Sequence, residues 1–282
     1  MNKLTALLLC SMLSLSLKAQ ISLGPTVATF GVLAGSTVTN SGPTVVAGNL
    51  GVSPGTAITG FTGIAPGGPG IVTGTIDSAN AVAGQAESEL TAAYNAAAGA
   101  AVTATKAGDL GGQTLPPGVY KSTSTLGITG TLTLDAQGNA NAQFIFQIAS
   151  ALTTATGSNV VLINGANAAN VFWQIGSSAT LGTSSTFAGD ILAFSSISLG
   201  TGAVLNGRAL ARNGAVTLLS NPITTPSGPG GGGGGGTGGG GGGGGTPTPT
   251  PAPSTLILVI TALACVGIYQ TRERLLKLFR RN

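Results

Sequence analysis

Apolar and small polar residues alternate along this chain in stretches too short for helices, and they recur at nearly constant intervals. The unit is a triplet with an apolar residue between two small ones, and it occurs seven times: Thr37-Val38-Thr39, Ala57-Ile58-Thr59, Thr131-Leu132-Thr133, Ala151-Leu152-Thr153, Ser178-Ala179-Thr180, Ser196-Ile197-Ser198 and Ala215-Val216-Thr217. Thr39 to Thr59 and Thr133 to Thr153 are each 20 residues, Thr180 to Ser198 is 18, Ser198 to Thr217 is 19, and Thr153 to Thr180 is 27 and carries an extra NGANAAN loop. In a strand, neighbouring side chains point to opposite faces, so the seven middle residues face a core together and their flanks face out. An interval near 18 to 20 residues is one coil of a solenoid. Coils stacked about 4.8 Å apart align the flanking residues into two ladders of hydroxyls and methyls. Glycines at Leu181-Gly182-Thr183 and Leu199-Gly200-Thr201 mark corners just after the triplets.

One stretch breaks the alternation. DSANAVAGQAESELTAAYNAAAGA places Val82, Ala86, Leu90, Ala93 and Ala97 at helical spacing, with Asp77 as the candidate N-cap and Gly99 as the stop. About 21 residues give a helix of about 31 Å, close to the roughly 29 Å spanned by seven stacked coils. Such a helix lies along one side of the solenoid, closes that sheet to ligands and leaves two others available.

The chain ends differ from this middle part. Residues 1–19, with Lys3 before an apolar run and Ala19 at the end, read as a signal peptide. Residues 20–226 form the folded domain, 227–254 a Gly-rich then Pro/Thr linker, 255–270 a short hydrophobic segment and 271–282 a basic tail. The hydrophobic segment reaches about 22 Å, against a bilayer core of about 30 Å. Proline, small residues, a short apolar run and a terminal arginine cluster together resemble a PEP-CTERM sorting tail, although Ala252 stands where that family carries Glu. A transient membrane contact during sorting follows from that resemblance; a permanent anchor held by Arg272, Arg274, Lys277, Arg280 and Arg281 is the alternative. Either way the protein is expected to be secreted or attached to the surface of a bacterium, with a Gram-negative one implied by the sorting tail.

Composition narrows the function. The chain has no histidine, 6% charged residues, 48 glycines and two cysteines, Cys10 and Cys265, both in the end segments. Between positions 21 and 226 the charges are Asp77, Glu87, Glu89, Asp109, Asp135 and Asp190 against Lys106, Lys121, Arg208 and Arg212, a net of −2, so the domain has no basic surface for nucleic acid. Asp109, Asp135 and Asp190 are widely spaced beside turn signals and read as turn residues rather than an acid/base pair. No cofactor, metal site or catalytic residue is expected. Trp173 and the phenylalanines at 144, 146, 172, 187 and 194 read as core, and Asn206, Arg208 and Arg212 as structural partners of turns or a chain end.

Residues 23–225 resemble the microbial ice-binding proteins. The resemblance rests, in order, on FGVLAGSTVTN, GNLGVSPGTAITGF, LTAAYNAAAG, LPPGVY, TLTLDAQGNANAQFIFQI, VLINGANAANVFWQIGSSATLGT and NGRALARNGAVTL. It implies a mainly β fold: a right-handed, discontinuous β-solenoid of triangular cross-section, with one long helix packed along a side and a coil order that differs from chain order. It also implies a monomeric domain whose partner is the ice crystal surface, bound through a flat Thr/Ser/Ala face. The expected contact residues are Thr37, Thr39, Ala57, Thr59, Thr131, Thr133, Ala151, Thr153, Ser178, Thr180, Ser196, Ser198, Ala215 and Thr217. A surface adhesin or matrix solenoid without ice activity is the second reading of the same strands, linker and tail.

Overall fold

A computed structural model describes residues 20–63 and 67–226. The signal peptide, linker, hydrophobic segment and basic tail expected from the sequence lie outside the described residues. Among the described residues, no helix is long and apolar enough to cross a membrane.

Three parallel sheets of nine, eight and eight strands form the three sides of a β-solenoid. Each coil contributes one strand to each sheet. Where two adjacent sheets meet, successive coils turn through a residue with positive φ, among them Gly130, Gly157, Ser184, Gly202, Ser220 and Gly42. At Gly182 and Gly200 the reason for glycine is proximity. A Cβ on Gly182 would sit 2.5 Å from the Ala155 carbonyl carbon, and one on Gly200 would sit 2.7 Å from the Thr183 nitrogen.

The coils do not stack in chain order. The first coil (strands Phe30–Ala34, Thr37–Ser41 and Val45–Ala47) pairs with the last (Ala209–Ala211, Val216–Leu219 and Pro222–Thr224), so the N-terminal coils extend the stack beyond the C-terminal one. From that extended end the chain returns through helix α1 (Ala81–Gly99) to the opposite end, and the strands from Ala104–Thr105 onward build back toward the first coil. The discontinuity makes the long helix necessary, because 19 residues are needed to carry the chain most of the way along the stack. The first–last junction is sealed by polar groups that water cannot reach: the Asn221 amide N–H donates to Thr44 Oγ1, and its Nδ2 donates to the carbonyls of Gly200 and Ala203.

The helix covers the nine-stranded sheet, hereafter the helix-side sheet. Its central strands are buried on both faces, which is why FGVLA, FIFQI and VFWQI are nearly continuous apolar runs instead of alternating ones. Outward residues Leu33, Val119, Ile145, Phe172, Leu192 and Leu210 meet Ala86, Leu90, Ala93, Tyr94 and Ala97 of the helix. Small helical residues allow close approach, and Gln147 Nε2 donates to the carbonyls of Ala97 and Ala100, tying the helix end to the sheet. Inward residues of the same sheet stack Tyr120, Phe146 and Trp173 along the solenoid axis, with ring centroids 5.3 and 3.9 Å apart, and Trp173 Nε1 donates to the Ala188 carbonyl.

Four local expectations require correction. The helix N-cap is Asn80, whose Oδ1 accepts from the Ala83 N–H; Asp77 sits in a strand, buried, and accepts from Asn80 Nδ2 and Thr75 Oγ1. Val82 is exposed, and Ala83 and Tyr94 take part in the buried stripe instead, since the helix turns its small residues to the sheet. Phe194 is 44% exposed at a corner, where Arg212 lies 5.6 Å above its ring, whereas the other predicted core aromatics are buried. Asp190 is a strand residue, completely buried and paired with Arg208, while Asp109 and Asp135 do close turns by accepting from the N–H groups of Gly111 and Gln137.

Candidate functional site: an uncharged ladder on the triplet sheet

Six of the seven triplets fall on one eight-stranded sheet in register. Pairing runs Thr59, Thr39, Thr217, Ser198, Thr180, Thr153, Gly127 and Asp109 on successive strands. Their inward neighbours Ile58, Val38, Val216, Ile197, Ala179, Leu152 and Leu126 form a single buried column. The alternation seen in the sequence is therefore a physical division, with branched apolar residues in the core and small hydroxylated ones in solvent.

The outward residues form two ladders of different character. Along the Thr59-to-Thr153 ladder, none of the six hydroxyls makes a hydrogen bond with the protein among the described residues, so all six are available to water. The parallel ladder runs from Ala57 and Thr37 through Ala215, Ser196 and Ser178 to Ala151. Its serines are partly engaged, because Ser178 Oγ accepts from the Ser196 N–H and Ser196 Oγ accepts from the Ala215 N–H. Those bonds fix the rotamers of Ser178 and Ser196 against the backbone. One ladder thus presents free hydroxyls, five of them with a methyl beside them, and the other small side chains whose two serine hydroxyls are held by backbone N–H groups.

Thr131 and Thr133 are not on this sheet. They lie in strand Thr131–Asp135 of the other eight-stranded sheet, called here the third sheet, where Thr131 pairs with Asn159 and Thr133 with Thr114 and Val161. The same alternation arises on both sheets because both are buried on one side and open on the other, so spacing alone does not separate them. In the triplet sheet the corresponding coils carry Leu126–Ile128 and Gly108–Asp109. Thr125-Leu126-Gly127 has the triplet form once Gly is allowed at the third place, a signal that was open to sequence reading.

Those end coils also bound the ladder electrostatically. Hydrogen bonding by the Thr129 side chain, together with the N–H groups of Thr129 and Gly111 that donate to Asp109 Oδ1, holds the Asp109 carboxyl below the ordinary aspartate range despite opposing desolvation. Its other carboxylate oxygen lies 3.1 Å from where a Gly127 Cβ would be, so a negative charge covers that rung. The uncharged stretch consequently ends at Thr153.

A second perturbed carboxyl is remote from the ladder. Helix residue Glu87 has a buried carboxyl oxygen with no partner, and burial pushes its pKa up to about 8 although Arg212 nearby pulls the other way. Arg212 itself lies 4.6 Å over the Tyr94 ring and donates to Thr91 Oγ1. A carboxyl raised in the folded state binds its proton more tightly there than in the unfolded chain. Stability should therefore fall as pH rises from about 4.5 through about 8, by at most on the order of 5 kcal/mol. Glu87→Gln keeps the shape and removes the proton; urea melts between pH 5 and 9 should show a flatter stability profile for the variant and a higher midpoint than wild type at pH 9. No group of three or more His, Cys, Asp or Glu residues placed to hold a metal occurs among the described residues.

Comparison with known proteins agrees with this architecture. A sequence model described as Ice-binding-like matches residues 32–224. A Nostoc ice-binding protein is 52% identical over 208 residues, 73% of this chain and 75% of that one. A Colwellia ice-binding protein is 38% identical over 214 residues, 71% of this chain and 81% of that one. The crystal structure of an ice-binding protein from an Antarctic biological consortium superposes with a TM-score of 0.70 at 49% identity, covering 74% of this chain and 92% of that one. The sequence match over residues 32–224, with 52% identity to a relative over three quarters of its length, shows that the chain belongs to the Ice-binding-like family.

Proposed function

We propose that this protein adsorbs to ice through the triplet sheet and thereby inhibits ice growth and recrystallisation, without catalysis. The observation that carries this reading is the in-register ladder of six free hydroxyls, uncharged from Thr59 to Thr153. Adjacent hydroxyls and methyls on rungs about 4.8 Å apart hold first-layer water in a repeating arrangement. That layer merges with a growing crystal. Each contact is weak, but the rungs are fixed by backbone pairing and buried columns, so docking costs little conformational entropy and many contacts form together. Ice then advances as curved fronts between adsorbed molecules, which lowers the local freezing point.

The ends of the chain extend the proposal. A signal peptide in residues 1–19 would direct export, and the Gly-rich and Pro/Thr stretch would hold a monomeric domain away from the membrane to which residues 255–282 target it. Tethered in this way, the domain would place a cell against ice.

The test is ice-affinity partitioning of the 20–226 domain alongside polysaccharide pull-down at room temperature. Enrichment in the ice fraction with inhibition of recrystallisation is expected, with no retention on polysaccharide. Equal distribution between ice and liquid would reject ice adsorption, and retention on polysaccharide alone would favour an adhesin.

A further inference from the structure

The third sheet repeats the properties of the triplet sheet on a second side of the solenoid. Its outward residues form one ladder of Thr131, Asn159, Thr186, Val204, Pro222, Val45 and Ile71, and a second of Thr133, Val161, Asn206, Thr224 and Ala47, interrupted at Ala188, which is buried. Among the described residues, five of the eight large apolar side chains exposed to solvent lie here: Ile71 at 52%, Val45 at 42%, Val161 at 40%, Val204 at 37% and Ile163 at 36%. No charged residue occurs in its strands from Asn159–Ile163 to Ile71–Val72.

The corner between the two sheets is uncharged as well. Residues 155–158, 182–185, 200–203 and 42–44 are ATGS, GTSS, GTGA and GPT, with Thr156, Thr183 and Thr201 exposed. The domain's charges lie instead on the helix, on the helix-side sheet and its margins, or at one end of the stack, as with Lys106, Asp109 and Asp135. Two adjoining sides of the molecule therefore form one continuous uncharged surface.

A second copy of the chain is a poor occupant for the third sheet. Six rungs about 4.8 Å apart and two outward residues wide present on the order of 250 Å², against the roughly 800 Å² per partner of a stable protein interface. A repeating, rigid surface of methyls and hydroxyls suits a repeating ligand instead. Resting on the ice-binding reading of the triplet sheet, we propose that the third sheet is a second ice-adsorbing face, with Thr186, Val204 and Thr224 at its centre and Val45 on the strand beyond them, so that the protein binds more than one crystal plane.

The experiment compares the fluorescently labelled protein with Val45→Lys/Val204→Lys, Thr39→Tyr/Thr217→Tyr and the combination of all four on single-crystal ice hemispheres. Far-UV spectra check folding, which these exposed or half-exposed positions should preserve. Each pair is expected to remove a different part of the illuminated pattern, and the four together to remove all of it. An unchanged pattern for the lysine pair overturns the proposal. So does a complete loss with the tyrosine pair alone. If the tyrosine pair loses nothing while the lysine pair does, the triplet-sheet reading fails and the third sheet is the ice face. A wild-type dimer that Val204→Lys converts to monomer in light scattering would make this face a contact between copies and overturn the proposal.

Discussion

Thr217→Tyr is expected to weaken binding to the planes recognised by the triplet sheet at least about tenfold, a loss of ~1.4 kcal/mol or more, without changing the far-UV spectrum. Thr217 is a central rung, with Thr39 on one side and Ser198 on the other, and its side chain points away from the buried column containing Val216. A phenol at that position stands above the methyls beside it and lifts neighbouring rungs off the crystal, so the damage exceeds the loss of one hydroxyl. Thr153→Tyr should cost less, because the next rung is Gly127 and then the charge of Asp109, and little lattice remains beyond it to be lifted. Val82→Tyr on the exposed side of the helix is the control and should leave binding unchanged. Plane-resolved fluorescence on ice hemispheres reads all three. If Thr217→Tyr binds those planes as tightly as wild type, the ladder is not the contact.

The difference between these positions shows what the sequence could and could not supply. The inward column was legible from Val38, Ile58, Leu152, Ala179, Ile197 and Val216, because a strand buried on one side must alternate and the spacing gave the coil length. Stacking order was not legible from spacing. Thr39 neighbours Thr217 across 178 positions of sequence, and only the family resemblance implied that the first coil would be placed out of order. Thr131 and Thr133 were grouped with the ladder because a solenoid with two open sides writes the same alternation twice per coil. The helix-side sheet hid its strands for the opposite reason, since burial on both faces removes alternation altogether. Phe194 and Asp190 reversed expectation through tertiary partners: Arg212 over the ring and Arg208 beside the carboxylate are brought in by neighbouring coils.

Asp190→Ala should destabilise the domain by about 3–5 kcal/mol, the cost of leaving a buried charge without its partner. Arg208 Nη1 donates to both Asp190 carboxylate oxygens at 3.0 and 3.2 Å, and Nε and Nη2 both donate to the Ala28 carbonyl. Nη2 also reaches the Pro226 carbonyl at 3.5 Å, so one guanidinium joins the first and last segments of the solenoid domain to the coil between them. Complete burial pushes the Asp190 pKa up to about 6 against the opposing pull of Arg208, which shows how far the site resists an isolated charge. The two single variants should therefore differ. After Arg208→Met the aspartate can take a proton and become neutral, whereas after Asp190→Ala the guanidinium cannot lose one. Asp190→Leu/Arg208→Met, which removes both charges and fills the space, should recover much of the loss seen in Asp190→Ala. Urea unfolding of the four proteins at pH 7 measures this order. A double variant less stable than Asp190→Ala would mean that the bonds to Ala28 and Pro226, rather than charge neutrality, hold the first and last segments of the domain together.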